Sequence, residues 1–140
     1  MPNWTKEQSD AIYKTGTNII VSAGAGSGKT AVLSERVIEK LKSGIHINEL
    51  LILTFTKAAA SEMKERIRKK IKKIPELSKE LDLIDASYIT TFDSFAMSIV
   101  KKYHYLLNVS KNISIIESSV IEIKKKNILD NIMDYYYGSN

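Results

Sequence analysis

Cysteine is missing from this 140-residue sequence, and histidine and proline occur only twice each. Without cysteine there is no disulfide framework, thiolate metal site or cysteine nucleophile, a pattern that suits a reducing compartment. His46 and His104 lie far apart, so a histidine-based metal centre is not expected. No run approaches the ~20 apolar residues of a membrane span, and Met1 to Glu7 has no signal-peptide core. The expected setting is the cytoplasm, with no membrane partner.

What is present is ordinary globular composition, 44% hydrophobic and 26% charged. A chain of this length buries about two-thirds of the surface it exposes when unfolded, enough for a core without staples. Lysine and arginine number 21 against 16 acidic residues, a formal charge of +5. That excess fits an anionic partner, nucleic acid being the commonest, and equally fits a merely solubilising surface.

Short apolar runs alternate with segments of helical period. Thr5-Lys6-Glu7-Gln8 has the form of a capping box, so a first helix is expected over 5–13. Asn18 to Ser22 reads as a buried strand. Lys29 to Leu41 reads as a helix burying Leu33, Val37 and Leu41, stopped by Ser43-Gly44. Leu50 to Phe55 is a second strand, whose unbroken apolar character suits cover on both faces. Ala58 to Ile74 is helical, with Ala59, Met63, Ile67, Ile71 and Ile74 on one side and Pro75 as its stop. A short helix over 76–84, a third strand over 87–91 and a helix over 93–107 follow. Ile113 to Ile116 reads as a fourth strand, and a helix from Ser118 or Ser119 runs through Ile121, Leu129, Ile132 and Met133. Gly138-Ser139-Asn140 reads as a frayed end. The alternation implies an α/β fold, a parallel sheet with helices on both faces.

The strongest chemical signal is Ala23-Gly24-Ala25-Gly26-Ser27-Gly28-Lys29-Thr30 between a strand and a helix. Small residues let successive backbone N–H groups turn inward, and the helix N-terminus adds its positive dipole end, so phosphate is the natural occupant. Lys29 would reach the β and γ phosphates of ATP, and the Thr30 hydroxyl would bind Mg²⁺. Ala23 stands where the usual pattern has glycine. An incidental glycine-rich turn is the bland alternative.

The segments around this loop resemble those of UvrD-like superfamily 1 DNA helicases. The resemblance is carried, in order and spacing, by Trp4 to Gln8, Ala23 to Thr30, Leu53 to Met63 and Ile89 to Phe95, nearly the whole chain. Within that group Gly28 to Leu33, Ala58 to Ile67 and Lys101 to Leu107 look most like the AddA branch, the A subunits of ATP-dependent helicase/nucleases. The resemblance implies a P-loop, RecA-like ATP-binding domain over 1–112, with 113–140 holding the last strand and the start of a helical insertion. It implies that Gln8 reads the adenine edge, a task suited to an amide that both donates and accepts. It also implies that Thr54, Phe55, Thr56 and Lys57, with Thr91 and Ser94, meet single-stranded DNA, Phe55 by stacking.

Departures and ambiguities accompany it. Lys57 stands where relatives usually carry asparagine, and Asp93 where they commonly carry histidine; a carboxylate there would repel phosphate, so Asp93 reads as a helix cap. Phe55 also reads as a core aromatic at the strand end. From Lys64 to Lys73 seven of ten residues are basic, which reads either as a DNA-attracting face or as a solvated one. Tyr135-Tyr136-Tyr137 fits a helix interface, and His104 a structural or surface position.

ATP hydrolysis in this class needs an acidic pair on a later strand. No adjacent carboxylates follow a strand here: Glu117 stands alone, and Asp82 and Asp85 sit beside a helix. The chain is therefore expected to be the N-terminal piece of a longer helicase/nuclease protein working on single-stranded and duplex DNA in repair or recombination, with a second subunit for a further partner. Weak nucleotide binding and little turnover are expected of this stretch alone. The alternatives are a non-catalytic nucleotide- or DNA-binding module, complete as it stands, and an unrelated P-loop kinase.

Overall fold

A computed structural model describes residues 3–138. The chain divides into two compact units, Met1–Ser98 and Ile99–Asn140.

In the first unit, α1 (Lys6–Tyr13) starts at Thr5, whose hydroxyl accepts from the Gln8 amide while the Gln8 side chain accepts from the Thr5 amide. This reciprocal box satisfies two N–H groups that the helix start leaves without partners. Helix α2 (Lys29–Lys42) ends as Ser43-Gly44 foretold: Gly44 takes φ +93°, its amide bonds to Leu41 O, and the Ile45 amide reaches back to Lys40 O. Only glycine adopts that backbone without strain.

Two strands, β1 (Leu51–Thr54) and β2 (Tyr88–Thr91), pair in parallel with Thr54 opposite Thr91. Between them in sequence lies α3 (Lys57–Ile71), whose stripe of Ala60, Met63, Ile67 and Ile71 is buried. The alternation of β structure sends Ile52 and Ile89 to the face that α3 covers, where they join Val37, Ile38 and Leu41 of α2 in the main core. The crossover closes through Pro75–Leu77, a 3₁₀ turn, α4 (Glu80–Leu83) and a second 3₁₀ turn, Ile84–Ala86. The expected α/β character and parallel pairing are thus present in a small two-stranded sheet.

Several expectations are corrected. Asn18 to Ser22 forms no strand, and Ile20 is 96% exposed. A strand exists through its neighbour's backbone, and among the described residues no backbone group hydrogen-bonds to this segment. Ile113 to Ile116 forms no strand either. The sheet is covered chiefly on one face: Leu51, Leu53 and Tyr88, on the other, are all exposed. Phe95 meets Tyr88 edge to face with 5.6 Å between ring centroids. Leu33 is exposed, and Ala60 rather than Ala59 is buried under α3, because the true register is set by Met63, Ile67 and Ile71. Helix α3 stops at Ile71, ahead of Pro75, which instead opens the next 3₁₀ turn.

Helix α5 (Phe92–Lys102) carries the chain across the division, shorter than expected, and gives way to a 3₁₀ turn at His104–Leu106. In the second unit α6 (Ser118–Tyr137) forms where helical period placed it, and Ile121, Leu129, Ile132 and Met133 are all exposed among the described residues. His104 Nδ1 lies 3.2 Å from Val109 O, a local tie within its own turn. No helix of the described residues is long and apolar enough to cross a membrane. The frayed-end reading of Ser139-Asn140 lies outside the described residues; Gly138 caps α6.

Candidate nucleotide and nucleic-acid site

The loop Ala23 to Gly28 delivers the chain to the N-terminus of α2. Gly26 and Gly28 have φ of +78° and +83°, and Gly28 is the residue that opens the helix. At Gly28 a side chain would be strained and would also stand 3.4 Å from the Gln8 amide nitrogen. The glycine therefore serves the turn, with room left for the Gln8 amide beside it. Ser27 closes the loop on itself, its hydroxyl donating to Gly24 O at 2.8 Å.

Lys29, the first residue of α2, folds its ammonium back over the loop, donating to Ala23 O at 2.7 Å and Gly24 O at 2.6 Å. An ammonium has three donors, so one remains for an anion even in this arrangement. Gln8 Nε2 donates to Ser27 O at 3.2 Å while its Oε1 accepts from the Thr5 amide at 3.0 Å. The helix cap expected of Gln8 and a contact to the loop are both made by this one side chain. Each end of the amide keeps a further hydrogen-bonding position.

These groups open onto a cleft of about 650 Å³, lined by Gln8, Ala11, Ile19, Val21, Ala23, Ser27, Lys29, Leu33 and Arg36 among others. Its size suits a nucleotide-sized ligand. Its wall is largely apolar, with Gln8, Ser27 and Lys29 at the loop end and Arg36 two turns along α2. Thr30, the second residue of α2, is exposed beside Lys29 but does not line this cleft.

A second group of expected residues gathers elsewhere, at the carboxyl ends of β1 and β2. The Thr54 hydroxyl donates to Thr56 O at 3.0 Å, and the Thr56 hydroxyl caps α3 by accepting from the Ala59 amide at 3.1 Å. Between them Phe55 is 104% exposed. It is no core aromatic. Lys57 is exposed at the first position of α3. Across the sheet Thr91, opposite Thr54, donates its hydroxyl proton to Ser94 Oγ at 2.9 Å and accepts from the Ser94 amide at 3.2 Å. Thr91 therefore supplies the capping interaction that Asp93 was expected to make. Asp93 lies exposed in the first turn of α5, where a negative charge suits the helix dipole. None of these residues lines the nucleotide-sized cleft, so the structure keeps the two groups apart.

The basic helix face is largely neutralised. Arg68 pairs with Asp85 at 2.7 Å and Glu65 at 3.2 Å, Arg66 with Glu62 at 2.8 Å, and Lys70 with Glu35 of α2. The Arg68 guanidinium is held above its usual range, first by the hydrogen bond it donates to Asp85. Of this run only Lys69, Lys72 and Lys73 have no ion pair among the described residues. The solvated-surface reading thus describes most of it.

Sequence reasoning passed over Arg36. One of its guanidinium nitrogens donates to Ala11 O at 2.8 Å and Lys14 O at 2.9 Å, with Ile12 O sharing a hydrogen at 3.3 Å, closing the end of α1. The available signal was its spacing: seven residues after Lys29 puts it two turns along the same helix face.

The sequence matches the family described as UvrD/REP helicase N-terminal domain over residues 4–137. The chain belongs to that family. Among its relatives, the A subunit of the ATP-dependent helicase/nuclease of Oceanobacillus iheyensis is 40% identical over the whole chain, and that of Lactobacillus gasseri 43%. The protein of the same name from Heliobacterium modesticaldum is 39% identical over 97% of the chain. The chain spans 12%, 12% and 10% of the lengths of these relatives. As a UvrD/REP helicase N-terminal domain, it carries its glycine-rich loop and its strand-end residues, among which Thr91 is buried, on separate parts of one unit.

Proposed function

We propose that this chain is the ATP-binding N-terminal part of an ATP-dependent DNA helicase that translocates on single-stranded DNA and unwinds duplex DNA in repair or recombination. The observation that carries the proposal is the convergence of Lys29, the Ala23-to-Gly28 loop and the Gln8 amide on one cleft at the start of α2. A loop of small residues, a free helix N-terminus and an ammonium together recognise a triphosphate, while an amide beside an apolar wall recognises a purine edge. Residues 1–112 would belong to a RecA-like domain and 113–140 would begin a helical insertion.

Thr30 would hold Mg²⁺, the ion neutralising phosphate charge. One hydroxyl fits this ion, which keeps several waters and takes its remaining oxygens from phosphates. Among the described residues no group of three metal-ligating side chains offers a fuller cage. The DNA path is assigned to Thr54, Phe55, Thr56, Lys57, Thr91 and Ser94, supported by the exposure of Phe55 and by the pairing of the two strand ends. The relatives are named for one lettered subunit of a helicase/nuclease, which supports a second subunit in partnership, and a cytoplasmic setting suits the whole.

The test is a calorimetric titration of the chain with MgATP. Binding that Lys29→Ala weakens about tenfold or more, the loss of a charge-assisted contact, is the expected result. Equal affinity in parent and variant would remove the loop from nucleotide recognition.

A further inference from the structure

Helix α1 has eight residues, too few to stand by itself in water, so its direction must come from what it packs against. Its apolar contact is small: Ala11 and Ile12 with Val32 of α2, flanked by Trp4. Such a contact is non-directional, and would let α1 roll or slide. Two polar ties remove that freedom. At the loop, Gln8 Nε2 reaches Ser27 O. Seven residues beyond Lys29, about 10 Å along the helix, Arg36 gathers the Ala11, Ile12 and Lys14 carbonyls. Ala11 and Ile12 lie three and four positions after Gln8, hence on its side of α1. Ala11 and Ile12 are also among the last residues of the helix, whose carbonyls have no partner within it. A cation there is favoured by the dipole and supplies the missing donors.

We propose that Arg36 is a positioning residue for base selection: by fixing the end of α1 it sets where the Gln8 amide stands beside the phosphate loop. This rests on the nucleotide site proposed above. Arg36 acts through Gln8, and the loop that holds the triphosphate is built without it. Its removal should therefore blur the choice of base and leave the triphosphate grip intact.

The test uses the full chain and two sets of titrations: MgATP, MgGTP and magnesium tripolyphosphate against parent and Arg36→Met, then the same two purine nucleotides against Gln8→Ala and the double variant. Methionine keeps most of the stem and removes the donors. Arg36→Met is expected to reduce the ATP-over-GTP preference about tenfold, the worth of one well-made hydrogen bond, with tripolyphosphate affinity unchanged. In the Gln8→Ala background it should add no further loss, and amide exchange in α1 should quicken. An unchanged preference, an equal loss with tripolyphosphate, or a further loss in the Gln8→Ala background would each overturn the proposal. Failure of the parent to bind tripolyphosphate or ATP is a different result, and it would overturn the nucleotide site itself.

Discussion

Glu80 Oε1 lies 2.8 Å from His46 Nδ1, and the same carboxylate accepts from the Ile47 amide at 2.8 Å through its other oxygen. Glu80 is 6% exposed, so α4 pins the segment entering β1 through one buried carboxylate. Glu49 adds a second tie, accepting from the His46 amide at 2.7 Å. The hydrogen bond to Glu80 raises the His46 pKa, and the charges of Glu80 and then Glu49 push the same way.

A pH dependence follows. Because the folded pKa of His46 lies above its unfolded value near 6.5, its stabilisation is complete below about 6.5 and is lost as pH rises through the raised value. Urea midpoints measured from about pH 6 to 8.5 should show the parent's advantage over His46→Gln shrinking with pH; a constant difference would contradict the pairing. Glu80→Ala should cost about 1 to 3 kcal/mol at high pH, because it leaves the buried Ile47 amide without an acceptor, and more below the His46 window, where the His46 pairing is lost as well.

Gly28→Ala places a Cβ where φ is +83°, and an L-residue in that region costs about 1 to 2 kcal/mol. The added carbon would stand in van der Waals contact with Gln8 Nε2, 3.4 Å away, without a clash. The expected outcome is a lower unfolding free energy together with weaker MgATP binding. A variant as stable as the parent would mean that the loop relaxes out of this conformation.

Local signals proved legible and non-local pairings less so. The Thr5 capping box, the stop at Gly44 and the α3 stripe through Met63, Ile67 and Ile71 depend on neighbours within a few residues, and all stand as read. Asn18 to Ser22 has a strand's composition, but a strand is completed by hydrogen bonds from elsewhere, and the described residues supply none. Arg36 escaped notice for a related reason. Its partners lie 22 to 25 positions away, and no local pattern announces a contact with backbone carbonyls. By sequence Asp93 reads as the cap of α5 and Thr91 as a DNA contact, but the capping hydroxyl is that of Thr91, two positions earlier, a matter of backbone geometry that residue type alone does not settle.

Ile67 is fully buried beneath β1 and β2, in contact with the core that joins α2 to α3. Ile67→Ala should cost about 2 to 5 kcal/mol, the transfer loss plus the cavity left behind. Denaturant unfolding checks this, and a loss below about 1 kcal/mol would mean the helix had settled into the gap.

Phe55 tests the nucleic-acid reading most directly, because exposure separates its two roles. A side chain that is 104% exposed contributes little to folding, so Phe55→Ala should leave stability within about 0.5 kcal/mol. A ring that stacks on a base contributes about 1 to 3 kcal/mol to binding single-stranded DNA, and that is the loss expected from fluorescence anisotropy on a labelled oligothymidine. Lys57 offers the electrostatic counterpart. It is exposed at the start of α3, and Lys57→Ala should lower the salt dependence of binding by about one counterion without altering base stacking. Lys70→Ala serves as the control, since its ammonium is already engaged by Glu35 and should contribute little to that slope. Unchanged DNA affinity in Phe55→Ala would move the DNA path away from the strand ends.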